Sequence, residues 1–309
     1  MNQLPQPVKK AHSEEHFGEQ RDFWWNRDFL DLMAVRWRLG EASSLADIGC
    51  GLCHWSRLLY GYLKKPARFA AVDREQRWIT EAREKFQNKF PEVPPEQFSF
   101  VVGDATSIPL PSDAFEVVTC QTVLMHLDRP MDALQEMVRV LKPGGLLICA
   151  EPNNLWNYLA FTSLTANEPV EAITRRFEFW LRYHRGKLIE GQGNHCIGDL
   201  LPGYFQQAGL RAIAVHQTDR AAALFPPYET PEQKVLIRQE LESRQSAKGP
   251  WDEEEVRRQV LAGGGTPEFF ELAYMEFKAK FDAEQQAINA GKFHAAFGTP
   301  LYLISGRKS

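Results

Sequence analysis

Cysteine is scarce in this chain of 309 residues: five, odd in number and scattered. That excludes the paired framework of a disulfide-stapled secreted domain and fits a reducing cytoplasm. Charge of either sign is not in excess, since 36 Lys and Arg stand against 40 Asp and Glu for a formal −4. Such a balance offers no general attraction to nucleic acid or to an anionic membrane, so neither is expected as a partner. No apolar run approaches membrane-spanning length, and the opening MNQLPQPVKKAHSEEHFGEQ lacks the apolar stretch of a signal peptide. Repeats and low-complexity tracts are missing too. What remains is ordinary, with 44% hydrophobic and 25% charged residues. A chain of this length can hold one elaborated domain or two small ones.

From about residue 44 to 218 the pattern alternates between short apolar runs and helical stretches. Strands are expected at 44–49, 68–73, 98–103, 115–121, 145–150 and 211–217, with a final one in PLYLISG (300–306). Several lack strict polar alternation, as strands covered on both faces do. Between them lie REQRWITEAREKFQNKF and DALQEMVRVL, both helical in period. The alternation implies an α/β fold with a doubly wound, mostly parallel sheet. Ahead of it, FWWNRDFLDLMAVRWRLG sets Trp25, Phe29, Leu32 and Met33 at helical spacing, with Gly40 as the stop.

LADIGCGLCHWS (45–56) is a strand, a turn and a helix start. Gly49 and Gly51 let the backbone turn sharply and approach a ligand where a Cβ would collide. Asp73, at the end of the second strand, can take both hydroxyls of a ribose. A nicotinamide oxidoreductase would use the same two parts. Downstream, VVGDATSIPLPSDAFEVVTCQTVLMHL and ALQEMVRVLKPGGLLICAEP supply the discriminating elements: Gly103-Asp104-Ala105 after a strand, then LKPGG before another.

In this ordered series, strongest over residues 43–151, the chain resembles the class I S-adenosylmethionine-dependent methyltransferases. Within them it is similar to the small-molecule group that includes the ubiquinone-biosynthesis type. The resemblance implies a seven-stranded Rossmann-like sheet with an antiparallel last strand, and S-adenosylmethionine as cofactor. By resemblance, Gly49 and Gly51 pass beneath the methionine part, with Asp47 near its amino group. Asp73, followed by Arg74, takes the ribose; Asp104 and the Ala105 N–H meet the adenine; Gln121 lines the methionine and substrate side. Cys53 stands where the family has a third glycine. A tolerated small residue is the favoured reading of it. Cys50-Gly-Leu-Cys53 as a redox pair is the sharper rival. Zinc would need further ligands, and no second CxxC exists.

Methyl transfer to some acceptors needs a base. His126 in VLMHLD follows the fourth strand at the ligand-facing edge of the sheet, and His195 in GQGNHCIG lies in a glycine-rich connection; these are the catalytic candidates. No resident metal is expected. TRRFEFWLRYHRGK mixes arginines with aromatics, but Phe177, Trp180, Leu181 and His184 recur at helical spacing and read as a buried face rather than a nucleic-acid surface.

Two segments exceed the minimal fold, 152–198 and 219–292. The second carries three helix starts with caps: Thr230 with Gln233, Asp252 with Glu255, and Thr266 before Pro267. Topology brings both to the carboxyl edge of the sheet, so they are expected to cap the site together. The expected organisation is a helical lid (1–42), a cofactor-binding core (43–218, with the insert 152–198), a helical cap (219–292) and a closing strand segment (293–309). Trp25, Tyr158 and Trp180 are the expected aromatic contacts of a small-molecule methyl acceptor. Phe270, Ala273, Tyr274, Phe277 and Phe281 share one helix face that needs a partner, either the cap or a second copy in a homodimer. A cofactor-holding subunit without turnover, and a tRNA or other nucleic-acid methyltransferase, are the alternative functions.

Overall fold

The strand SLADI, β1 (Ser44–Ile48), is buried at every position, as an apolar run between two helical layers must be. Around it, in a computed structural model describing residues 21, 23–245, 252–298 and 300–309, the chain builds one seven-stranded sheet. Its strands are β1, β2 (Arg68–Asp73), β3 (Phe98–Val102), β4 (Phe115–Gln121), β5 (Leu141–Pro152), β6 (Arg211–Gln217) and β9 (Leu301–Arg307). They lie in the order β3-β2-β1-β4-β5-β9-β6. All pairs are parallel except those of β9, which runs antiparallel between β5 and β6. β1 therefore has β2 on one side and β4 on the other, so the crevice between outward-going connections opens at its carboxyl end.

Alternate strand residues feed two cores. Leu45 and Phe69 face α1 (Arg27–Trp37), α2 (His54–Tyr60) and α3 (Gln76–Lys89), through Met33, Trp55, Leu59 and Phe86. Ala46, Ile48 and Val72 face α4 (Pro130–Val140) and α6 (Leu201–Gln207), through Leu134, Met137 and Phe205. The stripe that α1 buries is Leu30, Met33, Ala34 and Trp37, not the expected set, and Leu32 is exposed. Trp25 lies before the helix begins, and the i, i+3, i+4, i+7 run from Leu30 is the face that meets the sheet. The stop also differs: Arg38, in the left-handed conformation at φ 59°, ends the helix two residues before Gly40.

The two extra segments form one helical unit. α5 (Val170–Ile189) packs against α8 (Glu253–Ala262) and α9 (Pro267–Asn289), and Phe179, Trp180, Tyr183, Val260, Phe270 and Tyr274 make its core. Gly186 permits this closeness, since a Cβ there would stand 1.8 Å from the Gln259 carbonyl oxygen. The expected face of α5 is rotated: Phe179 and Tyr183 are buried whereas Leu181 is exposed. A helix covered from two sides buries a broader stripe than spacing alone suggests. The α9 face finds its partner within the chain, Phe277 stacking on Phe179 at 6.4 Å.

All three caps form. Thr230 and Gln233 exchange side-chain-to-backbone bonds at the start of α7 (Pro231–Gln245), Asp252 accepts from the Glu255 N–H, and Thr266 accepts from the Phe269 N–H. The segment 219–292 is not purely helical, however. It opens with β7 (Ala222–Leu224), which pairs antiparallel with β8 (Ala295–Phe297). Among the described residues, no helix is long and apolar enough to cross a membrane.

Candidate active site

The carboxyl ends of β1, β2, β3 and β4 converge on one cavity. Its first wall is the turn after β1. Gly49 sits at φ +68°, and a Cβ there would come within 2.5 Å of Val123 Cγ2, so only glycine fits between β1 and the turn after β4. Cys53, the residue in the third glycine's place, also has a left-handed backbone (φ 58°) and is fully buried at the start of α2. That conformation suits glycine, the residue expected there: a Cβ costs about 1–2 kcal/mol in this region. The thiol is small enough to be packed. Its neighbour Cys50 has its own thiol pushed well above the ordinary value by the Cys53 thiol beside it and by burial. A redox pair needs the opposite shift.

Asp47 and Gln121 carry the polar end of the cavity. Asp47 is 2% exposed, and its Oδ2 has no hydrogen-bond partner among the described residues. Burial pushes this carboxyl up to about 7. Gln121, at the end of β4, is also buried and its Nε2 likewise has no partner among the described residues. Buried polar atoms in native proteins are nearly always satisfied, so two such atoms lining one cavity point to a polar ligand that satisfies them.

Asp73 and Arg74 line the next wall. Asp73 Oδ2 accepts from the Gly51 N–H at 2.8 Å and Oδ1 from the Glu75 N–H at 3.0 Å, which fixes the carboxylate and leaves further lone pairs. Burial raises its pKa against these bonds. Gly51 itself does not line the cavity; its place there is taken through Asp73. Asp104 and Ala105 lie beyond. Asp104 Oδ1 accepts from the Thr106 hydroxyl and N–H, at 2.6 and 2.7 Å, and these bonds hold its pKa below the ordinary value.

The fourth wall is the turn Thr122–Leu127. Thr122 has φ 53°, an outlier for a β-branched residue, and such strain needs a surrounding that enforces it. Glu151, at the end of β5 and fully buried, supplies it. Its carboxyl accepts from the N–H groups of Val123, Leu124 and Met125, at 2.8, 2.9 and 3.3 Å. Even with these bonds, burial raises Glu151 to about 7. Sequence reasoning missed this residue, since nothing in AEP marks an acid that serves a turn 26 or more residues away. His126 of the same turn lines the cavity, and its ring meets that of His195 edge-on at 5.1 Å. His195 is buried behind it and does not itself line the cavity.

Of the three aromatic candidates, Trp25 comes nearest. It stacks at 4.5 Å on Trp55, which lines the cavity and donates its indole N–H to Thr119. Trp180 and Tyr158 stack on each other at 4.2 Å within the helical unit, and neither reaches the cavity wall. Both were expected as acceptor contacts; Tyr158, from the short turn Asn154–Tyr158, instead packs on Trp180 of α5. Trp55, Trp78 and Arg21 line the cavity without having been singled out by the sequence.

Residues 46–149 match a family described as a methyltransferase domain. The chain is 26% identical over 218 residues to a demethylmenaquinone methyltransferase of Lysinibacillus sphaericus, covering 66% of this chain and 83% of that protein. It is 35% identical over 125 residues to one of Chlamydia muridarum, covering 40% of this chain and 48%, about half, of that relative. Among solved structures it is similar to phosphoethanolamine N-methyltransferase 2 of Haemonchus contortus in complex with S-adenosyl-L-methionine. That likeness has a TM-score of 0.44 at 14% identity, over 90% of this chain and 52% of that one.

Proposed function

We propose that this class I S-adenosylmethionine-dependent methyltransferase methylates a small, apolar aromatic acceptor of the phenol or quinol class. The observation that carries the cofactor half is the pair of buried, unpartnered atoms, Asp47 Oδ2 and Gln121 Nε2, at the carboxyl edge of the sheet. S-adenosylmethionine has an ammonium group to satisfy the first and polar methionine atoms to satisfy the second. Asp73, beside Arg74, is oriented by Gly51 to accept from the ribose hydroxyls. Asp104 accepts from the adenine amino group, and Ala105 offers its N–H to the ring. Gly49 keeps the backbone low beneath the methionine part.

When bound, the cofactor supplies a methyl group activated by its sulfonium. The chain's own work is then to align the acceptor, exclude water and take the acceptor's proton. His126 is the group placed to accept that proton, with His195 packed behind it to fix its ring. The stacked Trp25 and Trp55 offer an aromatic wall, and the names of the two relatives point to a quinone-type acceptor. In this reading the segments 152–198 and 219–292, one packed unit, cap the acceptor side through the His126–His195 contact. Residues 23–42 belong to the lid, 43–218 form the cofactor core and 293–309 the closing strand segment; residues 1–20 and 22 of the expected lid (1–42) lie outside the described residues. Transfer of a tritiated methyl group to a panel of phenol, quinol, amine and carboxylate acceptors tests the assignment. Turnover confined to the aromatic hydroxyl compounds supports it; preferential labelling of an amine or carboxylate overturns it.

A further inference from the structure

The helical unit buries titratable side chains that its packing does not use. His184 of α5 is 7% exposed, and neither of its ring nitrogens has a hydrogen-bond partner among the described residues. Such a side chain weakens a core, since a leucine in its place would leave no polar atom unpaired. The His184 ring meets those of Tyr183 at 5.2 Å, His195 at 5.8 Å and Tyr158 at 6.0 Å. His195, whose carbonyl accepts from the Asn154 N–H, leads toward the cavity: its ring is 5.1 Å from that of His126 at the wall. Three residues along α5 from His184 is Lys187, also buried, with its Nζ 4.9 Å from the centre of the Tyr183 ring. Glu255 of α8 acts on both Lys187 and Tyr183, and its side chain is 40% exposed.

In series, these groups run from the cavity wall through an otherwise apolar helical core to the surface. Methyl transfer to an aromatic hydroxyl leaves one proton over. The oxygen bonds the methyl carbon, the carbon–sulfur bond breaks with its electron pair to sulfur, and the O–H proton goes to His126. With water excluded from the site, that proton needs a way out. We propose that His126 passes the proton through His195 and His184 to Lys187 and Glu255, so that α5 and α8 form the proton exit of the active site. The inference rests on the acceptor being an aromatic hydroxyl compound. An imidazole suits the task because it takes a proton at one nitrogen and releases one from the other. No hydrogen bond ties the His184 ring among the described residues, so it can turn toward His195 or toward Lys187. Burial and the Lys187 charge pull His184 down to about 3, so it hands a proton on rather than keeping it. Burial brings Lys187 down to about 8, against the pull of Glu255, which lets it receive a proton and give it up near neutral pH.

Transfer of a tritiated methyl group to hydroquinone by the full chain tests this between about pH 7 and about pH 10, where a phenol itself ionises. His184→Leu should lower kcat about tenfold or more at the lower pH, with cofactor affinity and thermal midpoint undiminished. The deficit should close toward the higher pH, because an ionised acceptor has no proton to hand over. His184→Gln restores a hydrogen-bonding side chain without an atom that takes a proton, so it should behave like the leucine variant. Lys187→Met should repeat the pattern, which keeps the test open if His184→Leu does not fold. A deficit equal at every pH, no deficit at the lower pH, or recovery in His184→Gln overturns the inference, as do wild-type rates in Lys187→Met. A wild type that leaves hydroquinone unlabelled at every pH refutes the reading of the acceptor, and the inference falls with it.

Discussion

Asp47 makes cofactor affinity a function of pH, with a sign that can be worked out. Burial holds its carboxyl at about 7. The bound state, with an ammonium group against Oδ2, needs the carboxylate, because opposite charge at close range favours the ionised form. Protonation therefore competes with the cofactor below the free pKa and is negligible above it. For a group of pKa 7 the apparent Kd is multiplied by about 1.1 at pH 8 and about 11 at pH 6. Affinity should thus fall about tenfold between those pH values, about 1.4 kcal/mol. Titration calorimetry at half-unit steps reads this directly, and buffers of different ionisation enthalpy report the proton released at pH 6. Asp73 is also raised and could add to the slope. Asp47→Asn separates the two, since it should bind weakly and with most of the pH dependence gone. A wild-type affinity that is flat from pH 6 to 8, or an Asp47→Asn variant with an unaltered slope, would refute the reasoning.

Asp73→Ala should weaken cofactor binding by about 1.5–3 kcal/mol without lowering the thermal midpoint by much, measured by calorimetry beside a melt. Glu151→Ala leaves three N–H groups of the Thr122–Leu127 turn without their acceptor, so it should destabilise the fold by about 3 kcal/mol or more in urea titration. In the surviving folded fraction, kcat should fall further than cofactor affinity. Gly186→Ala drives a Cβ into the Gln259 backbone and should loosen α5 from α8 by about 1–3 kcal/mol. Hydrogen exchange should quicken in those helices while cofactor affinity holds, because the cavity wall contains none of their residues.

The sheet was readable because its evidence is local. Apolar runs such as SLADI, glycines before a helix and acids after strands each announce themselves within a few residues. The caps at Thr230, Asp252 and Thr266 were readable for the same reason: both partners lie three residues apart. Faces of helices were less so. α5 carries aromatics on more than one side, and only the arrival of α8 and α9, some 70 to 100 residues later in the chain, decides that Phe179 is buried and Leu181 is not. Within the site, the acids and glycines that follow strands could be listed in advance, whereas Glu151 and Arg21 could not. Glu151 acts from β5 on the turn that follows its neighbour β4, and Arg21 comes to the cavity from the segment ahead of α1, close to where Trp25 docks on Trp55. Such roles depend on contacts between distant segments, which no short pattern encodes.

The central claim is that this cavity holds S-adenosylmethionine, and equilibrium dialysis of the purified chain with radiolabelled S-adenosylmethionine, in parallel with labelled NAD, tests it most directly. The account predicts saturable retention of a single equivalent of S-adenosylmethionine, no retention of NAD, and loss of retention in a combined Asp47→Asn, Asp73→Ala variant that remains folded. Retention of NAD, or S-adenosylmethionine retained undiminished by that double variant, would contradict it.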